Sequence, residues 1–354
     1  MQRRTFLNTT FSTLAGLALS PQPLAARWQE LAQYKDFVIG HQSHQYKIDR
    51  KWGVLDAAVH PVNDCHEMVQ DSQGRIILLT NHTKNNVIVY DKSGKLIEVW
   101  GTDYPGAHGL TLSKENGEDF LYIADNNRHE VIKTTIEGKV VMVLPYPEES
   151  GRYEKADQYI PTETAIAPNG DIYVADGYGL QYILHYNARG ELLNVFGGRP
   201  PAAGKTEEDK YFDNAHGICY DDRDATNPSL LITARQQNKL KRFSLDGQLL
   251  EVIDLPGAFI CRPVIHGKEV YLATIWSGSG AANTGFVSIL NEDNQLISAP
   301  GGSQPTYIDG QLQPMHQTVK VFQHPHDVCV DDEENLYVAQ WNAGKSYPIK
   351  LLRV

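Results

Sequence analysis

The sequence predicts an all-β fold, a six-bladed β-propeller, and three observations lead there. A unit recurs along the chain: an apolar strand, a turn, a strand ending in Ala-Asp or a similar pair, then two more strands around a Gly-containing turn. "LYIADNNRHEVIKTTIEGKVVMVLP" (121–145), "IYVADGYGLQYILHYNARGELLNVFG" (172–197) and "LLITARQQNKLKRFSLDGQLLEVID" (230–254) are clear copies. "IILLTNHTKNNVIVYDKSGKLIEVWG" (76–101) and the looser 270–300 add two more, and "LYVAQWNAGKSYPIKLLRV" (336–354) is a sixth that stops after its third strand. Second, the strands are short and rich in Val, Ile, Leu and Tyr, with turns about every ten residues, as in all-β domains. Third, a period of about 40–50 residues with four strands in each is the signature of propeller blades.

The incomplete sixth copy would leave a sheet edge unpaired, which folded proteins avoid. "YKIDRKWG" (46–53) matches "KLIEVWG" (95–101), the outer strand of blade one, and lies just ahead of that blade. It is expected to pair with the last strand and close the ring. Residues 46–354 then form one domain, preceded by a lead-in segment over 27–45.

The first 26 residues read as a signal peptide. Arg3-Arg4 and Phe6-Leu7 precede a modest apolar run, and "PQPLAA" (21–26) offers small residues for cleavage. The paired arginines suggest the twin-arginine route, which carries folded proteins and suits one that takes up a metal before leaving the cytoplasm. The expected destination is the periplasm or beyond. The apolar run is too short to span a membrane. Net charge is −11 with no basic stripe, so nucleic acid is not an expected partner. Export would permit disulfides, but each of Cys65, Cys219, Cys261 and Cys329 falls within a strand, on the face opposite its histidine or arginine, and reads as a small packed hydrophobe.

The first strand of each blade lines the channel. Aligning "NDCHEMVQD", "GAHGLTL", "NAHGICYD" and "HPHDVCVDD" with the two remaining blades places His66, His108, Glu163, His216, Arg262 and His326 at equivalent inward positions. Four histidines in six slots stand out when the chain holds only 13. His108, His216 and His326 come from alternate blades and approach the axis about 120° apart. Three imidazoles converging in this way make an open three-ligand site with room for water or substrate, the arrangement of catalytic zinc. His66 is a further candidate metal residue and Glu163 a further candidate catalytic group in the ring, although a lone histidine there would need no such role.

The copies resemble NHL repeats, and "AHGLTL", "VADGYG", "AHGICY" and "HPHDVCV" are similar in spacing to the peptidyl-α-hydroxyglycine α-amidating lyase domain. The resemblance implies zinc on His108, His216 and His326, with Tyr178 of the "DGY" turn as catalytic base. It also implies a structural calcium held in part by Asp327 and the Leu110 carbonyl. The blade-one arginine of that family is missing: the chain reads "LLTNHT" (78–83), with His82 near the place. His82 or Arg262 is therefore the expected cationic helper.

Such a site supports metal-assisted chemistry on a small-molecule or peptide-like substrate, with a bound metal polarising an oxygen or acidifying water. A phenol beside the metal can serve as base. Breakdown of a carbinol-type substrate by a carbon–nitrogen lyase is the leading expectation, and zinc-dependent hydrolysis is its rival. A non-catalytic propeller with a structural metal is the third reading, favoured if His66 completes the coordination sphere, because fold alone does not decide function.

Overall fold

The computed structural model describes residues 37–200 and 208–354. The expected signal segment, 1–26, lies outside the described residues. Six antiparallel sheets, one per blade, are ordered around a closed ring in which the innermost strand of each blade touches that of the next. Those innermost strands are Cys65–Gln70, Ala107–Glu115, Glu163–Ile166, Ala215–Asp221, Ala258–His266 and Pro325–Val330. A small hairpin, Tyr307–Ile308 with Gln311–Leu312, lies between blades five and six. Among the described residues, no helix is long and apolar enough to cross a membrane.

Burial grades outward along each blade. Second and third strands such as Ile76–Thr80 and Val87–Tyr90 are buried throughout, because both faces are covered by neighbouring blades. Leu79, Val87 and Val89 of blade one, for example, pack with Leu110, Leu121 and Ile123 of blade two. The outer strand Leu96–Trp100 is partly exposed. Interior apolar surface thus lies between blades, which leaves the channel to polar groups.

The ring closes where expected. His44–Asp49 pairs antiparallel with Ile349–Arg353, in a register that sets Tyr46 opposite Arg353 and Asp49 opposite Lys350. The lead-in is more than a tether, because Val38–His41 hairpins onto that strand as a fifth strand of blade six. Side-chain bonds fasten this hairpin to blade five, among them the His44 ring to Glu269 at 2.9 Å and the His41 N–H to the Ser298 hydroxyl at 2.9 Å. Single-sequence pattern could not flag four residues ending in Gly-His as a strand; this tertiary seat makes them one.

A bulge sits at the start of five innermost strands. Pairing registers shift between Cys65 and Glu67, Ala107 and Gly109, Ala215 and Ile218, Ile260 and Pro263, and Pro325 and Asp327. Ordinary strand residues alternate faces, but a bulge re-aims a side chain and spoils the alternation. Consecutive residues can therefore both face the axis, and the channel acquires two tiers instead of one.

Candidate active site in the central channel

The first tier holds His66, His108, His216 and His326, whose neighbouring ring centroids lie 4.7–4.9 Å apart. All four are at most 5% exposed. The fifth blade contributes Cys261, not Arg262. Ligand atoms of His216, Cys261 and His326 lie within 4.8 Å of one another, as do those of His66, His108 and His326. The expectation that Cys261 would face away from the channel is thus corrected, and the bulge is the reason. All four cysteines carry free thiols, and burial pushes that of Cys261 up to about 11.

Second partners fix the imidazole tautomers. His108 Nδ1–H donates to the Thr162 carbonyl at 2.8 Å, and His326 Nδ1–H donates to the His66 carbonyl at 3.0 Å. In a neutral ring the opposite nitrogen is then a bare lone pair. Burial holds His108, His216 and His326 well below the usual imidazole pKa, and pushes His66 down to about 3, so all four are neutral near pH 7.

Tyr178 closes the site. Its hydroxyl lies 3.1 Å from Nε2 of both His108 and His216. Among the described residues, Nε2 of His326 and Nδ1 of His216 have no partner. Buried lone pairs are costly to leave unmade. Converging neutral imidazoles with unpartnered ring nitrogens suit a borderline transition metal. The residues fit a metal.

The turn that carries Tyr178 is built by its own sequence. The Asp176 carboxylate accepts the backbone N–H of Ile160 at 2.7 Å and of Leu180 at 2.6 Å, and burial raises its pKa to about 7. A side chain at Gly177 would strike the Ala215 carbonyl at 2.2 Å, and one at Gly179 would strike Asp176 at 2.0 Å. "DGYG" is therefore required for this close approach of blades three and four.

Arg235 is the cation at the site, and the sequence did not single it out. It follows the strand Ser229–Ala234 and donates to the Tyr178 hydroxyl at 3.3 Å and to Cys261 sulfur at 3.8 Å. Its guanidinium lies between the rings of Tyr178 and Trp276, 5.6 and 5.4 Å from their centroids. Burial raises the Tyr178 pKa, and Arg235 opposes that rise. A signal existed: blades one, two, three and six carry Asn81, Asp125, Asp176 and Gln340 at this strand end, and only blade four carries a cation.

The proposed helpers lie elsewhere. His82 is part of the turn after Ile76–Thr80, its Nδ1 accepting the Lys84 N–H at 3.2 Å. It is Asn81 that reaches the ring, its amide 3.4 Å from His66 Nε2. Arg262 belongs to the second tier. It donates to both oxygens of Asp327 at 3.0 Å, to the Leu110 carbonyl at 2.7 Å and to the Met68 carbonyl at 3.0 Å. Glu67 and Glu163 stand 3.6 and 3.8 Å from it. Glu163, expected among the catalytic groups, accepts from the Thr111 hydroxyl and the Thr164 N–H within this tier. The true blade-three partner of the histidines is Thr162, and the true blade-five partner is Cys261. Alignment without the bulges slips by one residue at both.

The second tier also answers the calcium expectation. Asp327 and the Leu110 carbonyl are both engaged by a guanidinium, which leaves no room for an ion at these oxygens. Burial, reinforced by Glu163, holds Glu67 well above the carboxylate range, and burial raises Glu163 as well. Burial opposes the charge of Arg262, but Asp327, Glu67 and Glu163 outweigh it and keep the guanidinium protonated. The residues do not fit calcium.

Fold and site together define a six-bladed propeller of the kind that carries enzymes. The chain resembles peptidyl-α-hydroxyglycine α-amidating lyases. It is 27% identical over 282 residues to peptidyl-α-hydroxyglycine α-amidating lyase 1 of Drosophila melanogaster, covering 71% of this chain and 46% of that protein. A probable lyase of the same name from Caenorhabditis elegans is 29% identical over 167 residues, covering 47% of this chain and 44% of the relative. The matched segments span less than half the length of these two relatives. Among solved structures, a streptogramin B lyase aligns with TM-score 0.56 at 15% identity over 86% of this chain and 97% of its own, a likeness of fold. No protein-family profile matches the chain.

Proposed function

We propose that the chain is a metal-dependent lyase that cleaves the carbon–nitrogen bond of an α-hydroxyglycine-type, peptide-like substrate in the central channel. One observation carries the reading: the Tyr178 hydroxyl lies 3.1 Å from two imidazole nitrogens and 3.3 Å from a guanidinium, at the edge of a cluster able to hold a metal. His108, His216 and His326 would hold the ion, and zinc suits imidazole nitrogen donors. A zinc ion there supplies Lewis acidity and a local positive charge that lowers the pKa of adjacent acids.

The chain's own groups do the rest. Arg235 favours the phenolate form of Tyr178, countering the upward push of burial. The phenolate takes the proton of the substrate carbinol hydroxyl. As that oxygen becomes a carbonyl, the carbon–nitrogen bond breaks and its electron pair stays on nitrogen. The proton returned to that nitrogen completes an amide, with glyoxylate as coproduct. Tyr178 is partly exposed whereas the histidines beneath it are buried, so it stands between substrate and ring. The Arg-Arg segment near the start further supports export of the folded protein.

The test is glyoxylate release from an N-acyl-α-hydroxyglycine by the zinc-loaded chain, with and without a chelator. Chelator-sensitive release supports the lyase, and none from a chain holding its metal overturns it. A second reading is favoured by His66, which stands as close to His108 and His326 as they stand to each other. If it completes a four-coordinate sphere, the metal is structural and the propeller a binding module.

A further inference from the structure

We infer that the Arg262 guanidinium is the resident cation of the channel's second tier, tying the blades together in place of a divalent ion. The oxygens around it are those a hard cation would choose: three carboxylates, Glu67, Glu163 and Asp327, and two inward carbonyls, Met68 and Leu110. Ions of that class sit about 2.3–2.6 Å from such ligands. Here the guanidinium nitrogens lie 2.7–3.0 Å from the Asp327, Leu110 and Met68 oxygens. The planar fork of arginine matches this set, donating to both carboxylate oxygens and still reaching two carbonyls.

The contacts span the ring. Arg262 leaves blade five and bonds to blades six, two and one, while Glu163 of blade three stands 3.8 Å away. Blade four joins through a glycine: a Cβ at Gly217 would lie 2.5 Å from the Arg262 Cα. Gly109 makes the same allowance in blade two, where a Cβ would lie 2.5 Å from the Thr162 carbonyl and 2.9 Å from the Glu163 Cα. The tier therefore reads Glu, Gly, Glu, Gly, Arg, Asp around the axis, and its small and charged members complement one another. One side chain does in covalent form what an ion would do by coordination. This inference is independent of what the histidines bind.

Two arms test it. In zinc-containing buffer, the wild-type chain should retain no calcium after dialysis, and millimolar calcium should not move its melting temperature. Arg262→Ala should melt lower than wild type in calcium-free buffer, since it leaves buried carboxylates uncompensated. Millimolar calcium should then raise its melting by about 5 °C, the scale of a ligand well above its dissociation constant. Potassium chloride of equal ionic strength should not. One equivalent of calcium in wild type overturns the inference, as does an Arg262→Ala variant that melts like wild type or gains nothing from calcium. If Arg262→Ala yields no folded protein, the wild-type arm decides alone.

Discussion

Adjacent residues in the channel lead opposite lives. His326 and Asp327 are neighbours, as are His66 and Glu67, and Cys261 and Arg262, yet the first of each pair belongs to a tier with unsatisfied lone pairs and the second to a tier that carries its own cation. Nε2 of His326 has no partner, whereas both Asp327 oxygens accept from Arg262. Both tiers are buried, so burial does not separate function from scaffold here. What separates them is the resident cation: the second tier's oxygens gather around the Arg262 guanidinium, whereas the histidine nitrogens have no charge of the chain's own among them.

Substitutions sharpen that comparison. The largest effect is expected from the open tier. His216→Ala should lose most of the bound metal and nearly all turnover while keeping a cooperative β-sheet melt, checked by metal content, activity and circular dichroism. Next, Tyr178→Phe should keep the metal and lower turnover by about 100-fold or more, the usual scale for a lost general base. Arg235→Met should lower kcat more than KM and move the acidic limb of the kcat profile to higher pH, because the guanidinium opposes the rise of the phenol's pKa and Tyr178 must be deprotonated to act as base. An unmoved profile would make Arg235 a packing residue only.

Smaller effects concern stability. Deleting residues 27–49 removes the strands that close blade six and should cost on the order of 3 kcal/mol or more, from Tyr46 and Ile39 alone. Solubility should fall as well, since the deletion exposes an edge. For the metal-free chain, folded pKa values of the four ring histidines lie below the unfolded value near 6.5. Their contribution is therefore complete above pH 6.5 and lost as pH falls below it, by up to about 1.4 kcal/mol per unit for each ring. His66→Gln should reduce that acid slope, read from denaturant melts between pH 7 and 5.

Much of this was legible in the sequence because a propeller repeats. Period, strand composition and the missing sixth-blade strand together predicted ring and closure. The four histidines stood out because each falls at one point of the repeat and three are followed by Gly or Asp. Arg262 was placed one residue off because a bulge changes which side chain faces the axis without leaving a mark in the pattern of apolar residues, and Glu163 because its unbulged strand was aligned with bulged ones. Arg235 was hidden differently: it lies at a strand end distant in sequence from every histidine, and only the ring brings blade four beside the turn of blade three. Resemblance alone implied a calcium ion at oxygens that the Arg262 guanidinium occupies.

The most direct test of the account is the metal content of the purified chain, grown without added metal, beside its His108→Ala, His216→Ala and His326→Ala variants. The account predicts about one equivalent of a transition metal, zinc, in the wild type. It predicts loss of most of that metal in each variant, with the fold preserved. A full equivalent retained in all three variants, or none in the wild-type chain even after zinc is supplied, would contradict it.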